Sequence, residues 1–208
     1  MPRATLDPLR LSRPGAAPSL VTPQQIGADT SHKEIEVKIL EVERGRLEGI
    51  LLSLGAKKVF DSEMTALFFA PRAGSAVQPS GVLRLRQEAD QAFLVLKQPA
   101  TYQGAKIREE LQVQVSDFFT ARQILESLGF QATAQVRKHR VQYDLGCVSF
   151  AFDQYLDDLA HIPEFLEIEG PSLGLVLRHA ALLGYKPDSC LPWGMAHLIA
   201  HYAPQAQR

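Results

Sequence analysis

After residue 33 the chain repeatedly alternates apolar and polar positions, interrupted by stretches of helical spacing. In "KEIEVKI", residues 33–39, Ile35, Val37 and Ile39 fall on one face of a strand and Glu34, Glu36 and Lys38 on the other, because strand side chains alternate. A strand is predicted over about 33–42. The segment "ERGRLEGILLSLG" places Leu47, Ile50, Leu51 and Leu54 at helical spacing and stops at Gly55, a C-terminal helix signal. "AKKVFDS" and "TALFFAP" read as two short strands, and "RAGSAVQPSG" as a loop of turn formers. "VLRLRQE" and "QAFLVLKQP" form a hairpin, "KIREELQVQV" a further strand, and "SDFFTARQILESLGF" a helix with Ser116 as N-cap and Gly129 at its end. A second hairpin joins "VRKHRVQYDL" to "CVSFAFDQYL" through Gly146, and "EFLEIEG" is a last strand before helices near 172–183 and 192–202. Paired strands with helices inserted between them predict an antiparallel α+β architecture.

The same parity sorts charge. Arg84 and Arg86 share a face against Leu83 and Leu85, Lys97 opposes Leu94 and Leu96, and Arg108 and Glu110 oppose Leu111, Val113 and Val115. Lys138 and Arg140 share one face, Glu167 and Glu169 another, and Asp153 follows Cys147, Ser149 and Ala151. A single such strand is an ordinary wet face. As a set, arginines pair with arginines and acids with acids, and like charges two residues apart repel unless an opposite charge lies between them. A ligand with several phosphates supplies that for the bases, and divalent cations supply it for the acids. Arg matches phosphate oxygens with a planar fork of donors, and Mg²⁺ takes a few carboxylates together with substrate phosphates.

Composition narrows the classes. The chain has 208 residues, a net charge of -1 and 46% hydrophobic residues, enough for one globular core and no general affinity for nucleic acid or anionic membrane. Residues 1–32 carry Pro2, Pro8, Pro14, Pro18 and Pro23 without apolar periodicity and are expected to be a disordered tail, with 204–208 a second short tail. Cys147 and Cys190 have no metal or CxxC spacing, which suits a reducing, cytoplasmic setting. No apolar run approaches the roughly 20 residues of a membrane-spanning helix.

The ordered set of charged strands resembles the CYTH superfamily, the triphosphate tunnel metalloenzymes, over about residues 33–203. "EIEVK" is similar to its ExExK signature, "LRLRQ" to its paired-arginine strand, "LVLKQP" to its lysine strand and "REELQV" to its Arg-x-Glu strand. "RKHRVQY", "FAFD" and "EFLEIEG" continue the series in order. The resemblance implies an eight-stranded antiparallel β-barrel, a triphosphate tunnel with flanking helices. Lys38, Arg84, Arg86, Lys97, Arg108, Lys138 and Arg140 would contact phosphates. Glu34, Glu36, Asp153, Glu167 and Glu169 would contact Mg²⁺ or Mn²⁺, Glu34, Glu36, Lys38 and Glu169 would be catalytic, and Glu110 would orient neighbouring bases or a water. The implied activity is metal-dependent hydrolysis of a small triphosphate: inorganic triphosphate, thiamine triphosphate or a nucleoside triphosphate. The alternatives are a class IV adenylyl cyclase and a non-catalytic polyphosphate-binding module. Oligomeric state stays open, a homodimer included. The chain departs from the family pattern at Ala66, where an aspartate is common, at Gln112, which ends the Arg-x-Glu-x-Glu run, and at Pro163, in place of a glycine before the final strand.

Outside this set, His197 and His201 lie four apart on a helix without a third ligand and are expected to be a helix-surface pair. His139 falls on the outward side of its strand, and Trp193 is expected to anchor the last helix. No Gly-rich phosphate loop occurs.

Overall fold

The computed structural model describes residues 31–75 and 79–203. The expected tails at 1–32 and 204–208 therefore lie almost wholly outside the described residues, as does the centre of the 72–81 loop. The elements are β1 (Ser31–Ile39), α1 (Arg44–Ser53), β2 (Lys57–Pro71), β3 (Val82–Glu88), β4 (Gln91–Lys97), β5 (Thr101–Tyr102), β6 (Lys106–Val115), α2 (Phe118–Ser127), β7 (Phe130–Leu145), β8 (Val148–Tyr155), β9 (Phe165–Glu169), α3 (Leu173–Leu182) and α4 (Met195–His201). All strand pairings are antiparallel, in the order β1-β9-β8-β7-β2-β3-β4-β6, and β1 returns to pair with β6. The sheet is thus a closed barrel of eight strands, with β5 as a short addition on β6.

Closure inverts the usual placement of polar residues. One face of every strand must point into a confined interior, and here that face carries the charges. The apolar faces point out and most are covered by helices, whereas Leu111 and Val113 on the outer face of β6 stay exposed. Ile35, Val37 and Ile39 join Val141, Phe150, Phe152, Leu166 and Ile168 in a core with Leu47 and Leu51 of α1 and Val176 and Ala180 of α3. A second cluster packs Leu125 and Phe118 of α2 on Leu67, Phe69 and Leu85. A third seats Leu198 of α4, with Trp193 and Met195, on Tyr155, Ile162 and Phe165. Trp193 does anchor the last helix.

Three local expectations change. The two strands expected within 56–71 are one 15-residue strand, because β2 pairs along nearly its whole length with the 16-residue β7: its polar middle, Asp61 to Glu63, stays in register with His139 to Val141, and the two register shifts fall toward the ends, at Lys58/Phe60 and Phe68/Phe69. β7 itself begins at Phe130, six residues before the charged run that marked it. The N-cap of α2 is Asp117, not Ser116: its carboxylate accepts the Thr120 N–H at 2.6 Å, and a carboxylate at a helix N-terminus is favoured over a hydroxyl by the macrodipole as well.

Gly81, at the entry to β3, has no room for a side chain: an added Cβ would lie 2.2 Å from the Lys97 carbonyl oxygen. Gly81→Ala should therefore push β3 from β4 and cost about 1–3 kcal/mol, lowering Tm by several degrees in thermal unfolding. Gly49→Ala, on α1 where nothing lies within 4 Å of the added carbon, should leave Tm unchanged or raise it slightly.

Candidate functional site

The barrel encloses a cavity of about 630 Å³, within the roughly 300–1,000 Å³ of small-molecule sites. Every charged residue singled out by strand parity lines it: Glu34, Glu36, Lys38, Arg84, Arg86, Lys97, Arg108, Glu110, Lys138, Arg140, Asp153, Glu167 and Glu169. Ala66 and Gln142 line it too, and so does Lys106, which the sequence reading passed over. Its signal was present, since Lys106 has the same parity as Arg108 and Glu110. It is buried, and its ammonium meets Glu36.

The acids fall into two groups. Carboxylate oxygens of Glu34, Glu36 and Glu169 lie within 4.8 Å of one another, on the neighbouring strands β1 and β9 where Glu36 is directly opposite Glu169. Asp153 and Glu167 are instead engaged by bases. Arg140 grips Asp153 with Nε at 2.7 Å and a second guanidinium nitrogen at 2.6 Å, Lys138 meets it at 2.6 Å, and Glu167 pairs with Lys38 and, at 3.2 Å, with Arg140. Lys97 bridges Glu34 and Glu110, at 2.5 Å from each. Arg86 donates to Gln112 at 2.7 Å, so the residue that departs from the family pattern serves as a neutral acceptor for a base.

Pairing is incomplete on both sides. Among buried atoms, Arg84 Nε has no hydrogen-bond partner, and Glu34 Oε2 and Arg108 Nε face each other at 3.6 Å, an ion pair too long for a hydrogen bond. Buried polar atoms left without a hydrogen bond are costly, so these positions have capacity for a further partner. The protonation equilibria tell the same story. Burial, with repulsion from Glu34, Glu167 and Glu36, pushes the Glu169 carboxyl up to about 8. Burial and the neighbouring Arg86 pull Arg84 down to about 10, and burial and Arg140 pull Lys138 down to about 8. For Lys38 and Glu167 the ion pair wins over burial: Lys38 is raised by Glu167 and Glu36, and Glu167 is held well below the carboxylate range by Lys38, Arg140 and Lys138. The like charges thus crowd at two places, the carboxylates around Glu169 and the bases around Arg84 and Lys138.

The donor chemistry of the acid cluster suits a hard divalent cation, which takes carboxylate oxygens and keeps positions for phosphate and water. A CYTH domain family model matches residues 32–172, more than half of the chain. The chain belongs to the CYTH domain family. A proposed adenylate cyclase of Methanocaldococcus jannaschii is 27% identical over 136 residues, covering 65% of this chain and 75% of that protein. Among solved structures, the PH1012 protein of Pyrococcus horikoshii superposes with a TM-score of 0.64 at 24% identity, covering 79% of this chain and 98% of its own. A proposed adenylyl cyclase of Hippeastrum, described as having a dominant triphosphatase activity, superposes with a TM-score of 0.53 at 15% identity, covering 73% of this CYTH chain and 88% of its own. These likenesses establish the barrel as the CYTH tunnel fold. CYTH proteins are typically enzymes, either triphosphatases or adenylyl cyclases.

Two peripheral expectations resolve differently. His139 is outward, with Nε2 3.2 Å from Asp61 Oδ1 on the barrel exterior. His197 and His201 are both exposed and both rings contact Trp193, as a helix-surface pair would. His197 in addition lines the cavity, where its Nδ1 accepts the Gly194 N–H at 3.2 Å, because spacing along a helix does not say which face meets the barrel mouth. Among the described residues no helix is long and apolar enough to cross a membrane.

The Glu169 equilibrium gives a stability prediction. With the folded carboxyl at about 8 and an ordinary value of 4.5, the folded protein holds a proton that the unfolded chain has lost at intermediate pH. Its contribution is therefore lost as pH rises through that window, and the penalty is complete above about 8. In metal-free protein, Glu169→Gln should match the wild type in Tm near pH 5 and exceed it by a few degrees at pH 9. An equal difference at both pH values would contradict the repulsion described.

Proposed function

We propose that the protein is a divalent-metal-dependent phosphohydrolase acting on a small triphosphate inside the barrel. One observation carries the reading: the carboxylates of Glu34, Glu36 and Glu169 converge within 4.8 Å in the same cavity that Arg84, Arg86, Arg108, Lys138 and Arg140 line, the donor set a metal-triphosphate complex needs. Glu34, Glu36 and Glu169 would hold Mg²⁺ or Mn²⁺. The cation, when bound, neutralises phosphate oxygens and makes a bound water more acidic. Glu169 gives up its proton when a cation arrives, so binding tightens as pH rises.

The bases do the remaining work. Arg84 offers a guanidinium N–H without a hydrogen bond, Arg108 one held only by a 3.6 Å contact with Glu34, and Arg86, Lys138 and Arg140 add charge across the cavity. Such donors fixed on the strands need not reorganise as charge develops on the transferring phosphoryl group, which is where most of the catalytic advantage of phosphoryl transfer lies. Lys97 and Lys106 tie Glu34, Glu36 and Glu110 to their neighbours and hold the acid cluster in register. Asp153 and Glu167 orient Lys138, Arg140 and Lys38, and metal contact from either requires those ion pairs to open. Glu110, held by Lys97 with Arg84 at 3.8 Å, orients the bases around it.

The name of the Methanocaldococcus relative favours a second reading, cyclisation of ATP to cyclic AMP and pyrophosphate. Hydrolysis asks less of the site, since water needs no folding back of the ribose onto the α-phosphorus, and the Hippeastrum neighbour is described as mainly a triphosphatase. Purified protein with Mg²⁺ or Mn²⁺ should release orthophosphate from tripolyphosphate, thiamine triphosphate or ATP. Cyclic AMP as the main product would replace the hydrolase reading with the cyclase one. Glu34→Gln and Glu36→Gln should each lower kcat at least about a hundredfold. Turnover unchanged by both substitutions would remove the metal assignment, and binding of tripolyphosphate without turnover in the wild type would leave the non-catalytic module.

A further inference from the structure

The charged interior accounts for phosphates but not for the aromatic wall at one end of the same cavity. Tyr102 of β5 stands directly opposite Lys106 of β6, and directly opposed residues of an antiparallel pair project to the same face. Lys106 points inward to Glu36, so Tyr102 faces the cavity as well and lines it. The turn that creates this pairing is fixed at Gly104, where φ is +71° and an added Cβ would lie 3.0 Å from Leu173 of α3. Tyr102 is nonetheless 52% exposed, a rigidly placed ring left in water at a cavity mouth.

Its neighbour is His197 of α4, 5.7 Å between ring centroids and 69° between planes. Trp193 stacks behind His197 at 6.2 Å and 21°. Because His197 Nδ1 accepts the Gly194 N–H, the neutral ring carries its proton on Nε2 and can donate from there. This wall adjoins the charged residues: a Cβ added to Gly194 would lie 3.7 Å from Lys106 Cε and 4.0 Å from His197 Nδ1.

A bare polyphosphate gains nothing from a π face, since its oxygens are already matched by cations. A planar heteroaromatic ring gains from stacking on an aromatic side chain, and its nitrogens or carbonyls accept from an imidazole N–H. Resting on the triphosphatase reading, we propose that Tyr102 and His197 form a ring-binding subsite, and that the preferred substrate is a triphosphate bearing a heteroaromatic group, such as a nucleoside triphosphate, over bare tripolyphosphate. The phosphates enter the charged interior and the ring stays at the mouth.

The test is a ratio. The quotient of kcat/KM for ATP over kcat/KM for tripolyphosphate should fall about tenfold or more in Tyr102→Ala, recover in Tyr102→Phe, and fall in His197→Ala. Equal losses on both substrates, or no change on either, overturn the proposal. Trp193 is the chain's only tryptophan, so its fluorescence provides an arm independent of turnover. The β,γ-methylene analogue of ATP should change the emission, with a Kd about tenfold weaker in Tyr102→Ala. If the wild type cleaves neither substrate, the hydrolase reading falls, and this titration still decides the subsite: the same Kd in both proteins overturns it.

Discussion

Charges of both signs are sealed inside a closed sheet, and the rest of the structure follows from the need to neutralise them. Side chains that are buried as ions are tolerable only when paired. Hence Asp153 is clasped by Arg140 and Lys138, Glu167 by Lys38 and Arg140, and Glu34 and Glu110 share Lys97. Like charges nevertheless crowd at two places: Glu169 beside Glu34 and Glu36, where the carboxyl is raised to about 8, and Arg84 beside Arg86, where the guanidinium is lowered to about 10.

Because the interior is spent on charge, stability has to come from outside the barrel. The apolar faces of the strands carry the core, and α1, α2, α3 and α4 supply the other half of it. This is why Ile35, Val37 and Ile39 matter as much to the site as Glu34, Glu36 and Lys38. A register slip of one residue in β1 would exchange the two sets, burying carboxylates under helices. The β-branched residues packed beneath α1 and α3 fix the inward aim of the acids.

Most of this was legible in the sequence because strand parity is a strict code. Two-residue alternation places the charged lining residues, and Lys106 and Glu88, which lie outside the family-like motifs, obey it too: each stands two places from a lining arginine, Arg108 and Arg86. Other features obey no local code. The unbroken β2 depends on β7 beside it, and its polar middle, Asp61 to Glu63, gives no sign of that partnership. Tyr102 belongs to a two-residue strand too short for any period to show. His197 sits on a helix whose orientation over the barrel mouth is set by packing of Leu198 and Trp193, not by the spacing of its histidines. Nor does parity reveal which acids meet bases and which meet each other, since that depends on registers between strands far apart in the chain.

Closure of the barrel also orders events in time. β1, the first described strand, lies between β6 and β9, so its carboxylates meet their companion Glu169 only after the last strand has been made. On a ribosome the acid cluster cannot exist until nearly the whole domain has emerged, and contacts of such long sequence separation form late and slowly. A nascent or truncated chain lacking β9 would thus carry the bases without the complete set of three converging carboxylates. The topology delays assembly of that set until the sheet around it can close.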